Sequence, residues 1–352
     1  MGIVEQTLAR EICSRPLKDY PWNNTLDPYA IWVSEVMLQQ TRVAAVLPKY
    51  TSFIERFPSV VGLAQASEQE VLKAWECLGY YRRATSLWKA AKVVVEKHDG
   101  IVPSKLDEFQ ELPGVGKYTA HAVLSAAHGE YLAAVDGNIR RILSRIYQAE
   151  EKLIWYEEKG QELLKESCDC GREDWCAGQW NRAFMEFGQF ICTRKPQCSI
   201  CPLSSVCLAY RNNVVENYPR KRVYSMKRQP LIVCIREYSD GILLQKRNQF
   251  PLKGLYDFSC FDSEFDTWES NVFARVFAAV VKRNNGVGPV FLGEFRHAVM
   301  NVTYDVRVFL HQIPSVFGGE NIMSKNQVDE CPLTGWSRKA WKLYRESAYH
   351  EK

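Results

Sequence analysis

The sequence predicts an α+β chain of two parts, an all-helical N-terminal region followed by a smaller α+β domain. Three observations carry this reading. Apolar residues recur at helical spacing, with no strand alternation, as far as about Ala209. A basic stretch then breaks the pattern: Arg220-Lys221-Arg222 and Lys227-Arg228, with no acid inside it. Beyond it lie short β-type runs, of which Thr303-Tyr304-Asp305-Val306-Arg307-Val308-Phe309-Leu310 alternates clearly. The 352 residues suit two or three domains. The expected divisions are a helical region over 1–218, a linker over 219–228 and an α+β domain over 229–345.

Taken in order, Asp27-Pro28 looks like a helix cap followed by proline at the first helical position. The apolar spacing after it continues through Val46. Further helices are expected around Glu68–Cys77, Ala84–Lys97, Tyr118–His128, Ile139–Tyr147 and Trp180–Ile191. Gly79, Gly100-Ile101-Val102-Pro103 and Gly129 mark loops between them. In the second part, Leu231–Ile235 and Ile242–Gln245 read as two strands about an Asp240-Gly241 turn, and Trp268–Val281 as a helix. No internal repeat or low-complexity segment is evident.

An apolar fraction of 46% is enough for sizeable cores. The formal net charge of +4 permits nucleic-acid binding without identifying it. No apolar run approaches the ~20 residues of a membrane span, and the N-terminus lacks a secretory apolar region. A cytoplasmic, nucleoid-associated monomer is expected.

Twelve cysteines are many for a reducing compartment, so their grouping matters. The run Cys192-x5-Cys198-x2-Cys201-x5-Cys207 gathers four thiols near the end of the helical region. Such a set can ligate zinc or an iron–sulfur cluster. A zinc ribbon usually pairs two C-x2-C units and only one is present, so a 4Fe–4S cluster fits the spacing better. Cys168, Cys170 and Cys176 lack an obvious fourth ligand and read as ordinary thiols.

The stretch Leu112-Pro113-Gly114-Val115-Gly116-Lys117-Tyr118 reads as a glycine hairpin opening a helix. Gly114 and Gly116 would let backbone N–H groups approach an anion, aided by the helix dipole and by Lys117. Such contacts hold a phosphate backbone without reading bases. Alone, the Gly-x-Gly would favour a plain helix–turn–helix joint. Two carboxylates add chemistry. Glu35 has Ile31, Trp32 and Leu38 one turn away, so desolvation should keep it protonated. Asp136 precedes a helix start, which favours the ionised form. Two acids in opposed environments suit protonation of a leaving group and stabilisation of a cation. Taken singly, Asp136 is better explained as a helix cap, and the plain reading of Glu35 is half of a buried ion pair.

Together, the hairpin, Asp136 and the four cysteines resemble the helix-hairpin-helix DNA glycosylases of the endonuclease III superfamily. Pro28-Tyr29-Ala30-Ile31-Trp32-Val33-Ser34-Glu35-Val36-Met37-Leu38-Gln39-Gln40-Thr41 is similar to the adenine DNA glycosylases of the MutY type, as are Gly79-Tyr80-Tyr81-Arg82 and Asp136-Gly137-Asn138. The likeness implies an all-α glycosylase domain with a 4Fe–4S loop at 192–207, then a MutT-like (Nudix-like) domain. It implies hydrolytic removal of adenine opposite 8-oxoguanine or guanine, from a base flipped out of duplex DNA. Glu35 would protonate adenine N7 and Asp136 would stabilise the oxocarbenium ion, with Tyr118 and Asn138 orienting Asp136. Trp22, Glu186 and Arg182 would lie at the adenine pocket, and Gln40 and Tyr80 would wedge into the duplex. Gly114, Gly116 and Lys117 would hold the backbone, and Cys192, Cys198, Cys201 and Cys207 the cluster.

In that superfamily a lysine at the position of Tyr118 makes a lyase by Schiff-base chemistry. Tyr118 therefore implies simple hydrolysis. The second domain carries Gly254-Leu255-Tyr256-Asp257-Phe258 where the likeness expects a similar run, but Glu264 and Glu269 lack the spacing of a pyrophosphatase helix. It reads as a recognition domain. Three features depart from the pattern: a first cysteine gap one residue short, Phe295-Arg296-His297 in place of a Phe-Ser-His loop, and Asn23 with Arg182 where arginine and glutamine are usual. Arg296 would contact a phosphate or guanine edge. Two other readings stay open, a glycosylase/lyase acting on oxidised pyrimidines and a non-catalytic iron–sulfur protein that binds mispairs.

Overall fold

The computed structural model describes residues 2–168, 177–220, 227–248, 252–262, 289–314 and 321–347. The expected helix over Trp268–Val281, the residues Cys170 and Cys176, the side chain of Cys168 and most of the basic linker lie outside the described residues. The chain divides into two compact units, Met1–Ala66 with Arg83–Arg222, and Ser67–Arg82 with Val223–Lys352. No described helix is long and apolar enough to cross a membrane.

The first unit is helical: α1 (Ile3–Cys13), α2 (Pro28–Leu38), α3 (Val43–Arg56), α4 (Val60–Gln65), then α6 (Arg82–Lys97) through α12 (Leu208–Arg211). Between these run α7 (Leu106–Gln110), α8 (Lys117–His128), α9 (Gly137–Ile146), α10 (Leu153–Cys168) and α11 (Ala177–Phe190). Asp27 caps α2, accepting from the Tyr29 N–H at 3.0 Å. The expected helix from Pro28 to Val46 is instead two, because the backbone turns at Gln39–Arg42 and Gln40 adopts φ +57°. Helix α2 buries residues on every face, from Tyr29 to Met37, so it is central rather than amphipathic. It packs against α8. A second core joins α1, α9, α10 and α11 through Leu8, Ile142, Tyr156, Trp180 and Phe184. Burial of this kind supplies the main drive for folding.

In the second unit, β1 (Lys227–Tyr238) and β2 (Gly241–Leu243) form the expected hairpin, with Tyr238 opposite Gly241. Strand β1 also pairs in parallel with β7 (Val302–Ile313) along its whole length, and β7 pairs antiparallel with β6 (Val290–Val299). Strands β5 (Ser259–Asp262) and β8 (Ile322–Met323) extend this mixed sheet, and β3 (Gln245–Lys246) pairs with β4 (Tyr256–Asp257) separately. Helices α13 (Lys325–Glu330) and α14 (Gly335–Ser347) cover one face, where Val233, Val308, Trp336 and Trp341 meet. Helix α5 (Glu68–Ala74), from the helical part of the sequence, belongs to this unit.

Candidate active site

Helix α2 presents Glu35 in its last turn, and α8 presents Tyr118 in its first. Because the two helices pack together, the side chains meet: the Tyr118 hydroxyl donates to Glu35 Oε2 at 2.9 Å. The expectation that Tyr118 orients Asp136 is not met, since its phenol is given to Glu35 and lies 3.7 Å from Met185 Sδ. The third side chain, Asp136, caps α9. Its Oδ1 accepts from the Asn138 N–H at 2.9 Å and the Ile139 N–H at 2.8 Å, and its Oδ2 from Asn138 Nδ2 at 2.7 Å. Asn138 thus orients the acid as expected.

Glu35, Tyr118 and Asp136 are each crowded by protein yet partly open to solvent, as residues lining a narrow cleft are. Burial pushes the Glu35 pKa up, and the Asp136 charge adds to the rise, against the Tyr118 hydrogen bond and the Arg182 cation. The Asp136 charge acts on Tyr118 as well. Burial also raises Asp136, held back by its three hydrogen bonds and by Arg141. The two environments are therefore not opposed as the helix-start argument expected, because Asp136 too is desolvated. What differs is the set of partners.

The residues expected around a base pocket gather on one wall. Trp22 is buried in the 3-10 turn Pro21–Asn23, edge-on to Tyr50 and stacked on Tyr20. Arg182 on α11 donates to the carbonyls of Trp22 at 3.0 Å and Asn23 at 3.4 Å. One turn on, Glu186 accepts from the Lys18 N–H at 3.0 Å, and the Arg182 charge acts on both Glu186 and Glu35.

Three arginines that sequence reasoning passed over brace this centre. Arg83 donates to the carbonyls of Val36 at 2.7 Å and Met37 at 2.9 Å, ending the helix that carries Glu35. Arg141 donates to Asn138 Oδ1 at 2.9 Å, the Gly188 carbonyl at 2.7 Å and the Cys192 carbonyl at 2.8 Å. Arg145 donates to the Thr193 carbonyl at 2.6 Å and lies 3.3 Å from Cys192 Sγ. Their partners are mostly backbone carbonyls, which carry no sequence signature. Only the i, i+3 spacing of Asn138 and Arg141 could have flagged one of them.

At the hairpin, Gly114 has φ +81°, and a Cβ there would sit 2.6 Å from that of Ser86. Gly116 is the cap of α8 and gives no side-chain bond, so the first N–H groups of that helix gain no acceptor from their cap residue. Lys117 is already paired with Glu157 at 2.7 Å, a partner the hairpin motif did not reveal. Gln40 is exposed at the α2–α3 break, and Tyr80 is half-exposed with φ +46°.

All four expected cysteines line one pocket with Arg145, Phe187 and Leu203. Burial and the three neighbouring thiols push Cys201 up to about 11. Among the described residues, no three Cys, His, Asp or Glu side chains converge on a single ion. Phe295, Arg296 and His297 lie within strand β6 rather than on a loop, paired to Val306, Asp305 and Tyr304. Side chains alternate along a strand. Phe295 takes a Lys339 cation over its ring and His297 packs edge-on to Trp336, while Arg296 is exposed and pairs with Asp305 at 3.2 Å. The aromatic ring and the imidazole thus share a face that Arg296 does not.

Residues 33–169 match the model of the HhH-GPD superfamily of base excision DNA repair proteins. The chain is 32% identical over 318 residues to the adenine DNA glycosylase of Buchnera aphidicola subsp. Baizongia pistaciae, covering 86% of this chain and 85% of that protein. It is 39% identical over 204 residues to the Homo sapiens adenine DNA glycosylase, covering 54% of this chain and 37% of that one. A thermostable thymine-DNA glycosylase aligns with TM-score 0.52 at 29% identity, over 59% of this chain and 97% of its own. An endonuclease III from a non-covalent DNA complex aligns with TM-score 0.50 at 22% identity over 60% of this chain, a likeness of fold.

Proposed function

Since the chain belongs to the adenine DNA glycosylases of the helix-hairpin-helix superfamily, a group of base excision repair enzymes, we propose that it hydrolyses the N-glycosidic bond of adenine opposite 8-oxoguanine or guanine. One observation carries the assignment of roles: among the described residues, Glu35 is held by a phenol while Asp136 is held by N–H donors. Adenine flips into the cleft because its glycosidic bond is shielded in the stack. Glu35 gives its proton to N7 as the bond from the sugar C1′ to N9 breaks, and the bonding pair leaves with the adenine. The Asp136 carboxylate stabilises the oxocarbenium ion. Water then attacks C1′, and its proton returns to Glu35. Trp22, Arg182 and Glu186 form the wall against the base. No amine occupies the place of Tyr118, so strand cleavage is not part of the reaction.

The all-sulfur donor set of Cys192, Cys198, Cys201 and Cys207, lining one pocket, suits a 4Fe–4S cluster, which those four thiolates would hold. The Arg145 guanidinium lies 3.3 Å from Cys192 Sγ and would give a hydrogen bond to a ligating sulfur there. The cluster would fix the loop bearing Arg194 and Lys195 as a phosphate-binding surface. Colourless, iron-free, zinc-loaded protein would refute it. The partner is duplex DNA, held at Gly114, Gly116 and Lys117, wedged by Gln40 and Tyr80 and met by a monomer in the cytoplasm. Phe295 and His297 lie on the face of β6 that α14 covers, so of the three it is the exposed Arg296 that would reach a phosphate or guanine edge.

The deciding experiment is single-turnover base release from duplexes with A opposite 8-oxoguanine, G or T. Fast release from the first two and slow release from the third is expected. Absence of release from all three would favour a mispair binder. Borohydride trapping of a covalent complex, lost in Lys117→Ala, would favour the lyase instead.

A further inference from the structure

The unit built on the mixed sheet includes sixteen residues from the helical part of the sequence, Ser67–Arg82. This segment is gripped by the α+β elements along its length. Lys73 donates to the Asp329 carbonyl, and Glu76 receives Arg338 Nε at 2.6 Å. Arg338 also donates to the Cys331 carbonyl at 2.8 Å, so its guanidinium is aimed from α14 at the segment. Gln69 donates to the Gly254 carbonyl at 3.4 Å, and a Cβ on Gly254 would meet Leu72 at 3.1 Å. The Glu76–Arg338 pair is largely shielded, with side-chain exposures of 13% and 27%.

Directly after Glu76 comes an unusual turn. Cys77, Gly79 and Tyr80 all have left-handed backbone, at φ +75°, +68° and +46°. Two of these are not glycine, and such residues hold that conformation only where their surroundings over-determine it. Buried Leu78 and Tyr81 pin the turn from within, and the Trp75 indole donates to the Gly79 carbonyl at 3.3 Å. Glu76, at its entrance, is tied to α14. Tyr80 is left half-exposed at its tip.

We propose that Glu76 and Arg338 are positioning residues for Tyr80, so that the domain reading the lesion also sets the side chain that enters the duplex. This rests on the reading of Tyr80 as a wedge. It gives the α+β unit a mechanical part in base extrusion as well as a part in recognition.

The test uses the full-length protein and a duplex with 2-aminopurine beside the A:8-oxoguanine pair, whose fluorescence rises on unstacking. Tyr80→Ala, Glu76→Gln, Arg338→Met and the Glu76→Gln/Arg338→Met double variant are compared with wild type, with melting temperatures measured alongside. Each single change at the pair should lower the fluorescence rise and the base-release rate about tenfold, a typical coupling factor. The double variant should be no worse than either single, because the two residues act as one unit. Melting temperatures should stay near that of wild type. If Tyr80→Ala leaves the fluorescence unchanged, the wedge reading fails. If Tyr80→Ala abolishes the rise while the pair variants keep it, or if the pair variants are additive, the positioning role is overturned.

Discussion

Replacing Tyr118 by phenylalanine removes one hydroxyl and keeps the ring that packs between α2 and α8. The lost bond is the 2.9 Å donation to Glu35 Oε2. A hydrogen bond to a charged group contributes about 1.5–3 kcal/mol, and one pKa unit corresponds to about 1.4 kcal/mol. The bond favours the ionised carboxylate and lowers the Glu35 pKa against the rise from burial. Without it the pKa should climb further above the ordinary carboxylate range. Glu35 works as an acid only while protonated, so activity falls as pH rises through its pKa. The alkaline limb of the pH–rate profile should therefore move to higher pH. Arg182 and Asp136, the other charges acting on Glu35, are unchanged by the substitution. The plateau rate should drop about tenfold or less, as the carboxyl loses one restraint on its orientation. Single-turnover adenine release, with enzyme in excess and pH stepped across the limb, reads both effects. A limb that stays in place or moves down would refute the assignment of that limb to Glu35 held by Tyr118.

Glu35→Gln keeps an oxygen that can accept from Tyr118 but has no proton to give, so release should slow by about 10²–10⁴ with little change in melting temperature. Glu157→Gln frees Lys117 for phosphate. Exposed pairs contribute at most about 1 kcal/mol, so duplex affinity measured by fluorescence anisotropy should improve no more than about fivefold, and only at low salt. Arg141→Met removes the cation that holds Asn138 Oδ1. Loss of about 1.5–3 kcal/mol of positioning predicts release slower by about 10–100-fold with anisotropy-measured affinity unchanged. Arg145→Leu strips the Thr193 carbonyl and Cys192 Sγ of their donor, and iron per protein, measured by colorimetry, should fall.

Much of this site was legible because its chemistry sits in side chains. Asp136-Gly137-Asn138 identified a cap, and the structure adds only which oxygen takes which donor. Tyr118 was recognisable as the residue that excludes a lyase, but its acceptor lies 83 positions away and follows from helix packing alone. The break after α2 was hidden because apolar spacing runs on to Val46, while Gln40 alone takes the left-handed turn. In the same way Arg83, Arg141 and Arg145 looked like ordinary surface cations. Strand β6 was within reach: Glu294–Val299 alternates between exposed and half-buried side chains, and the likeness to a loop obscured it.

On the proposed assignment, the division of labour between the two acids would not come from their burial, which raises both. It would come from what their partners can do when a proton arrives. Among the described residues, the hydrogen-bond partners of the Asp136 oxygens are N–H groups, which donate and cannot accept. A proton on Oδ1 would displace one of its two donors, and a proton on either oxygen removes the charge that strengthens all three bonds. Tyr118 is different, because a hydroxyl both donates and accepts. When Glu35 takes a proton, the phenol can receive it and turn its own hydrogen toward Met185 Sδ, 3.7 Å away. Glu35 can therefore cycle between its two forms without leaving a polar group unpaired. A lysine ammonium at position 118 could only donate, and would hold Glu35 in its ionised form. The tyrosine thus does more than exclude a Schiff base. It leaves the acid free to carry a proton, which is what releasing adenine requires.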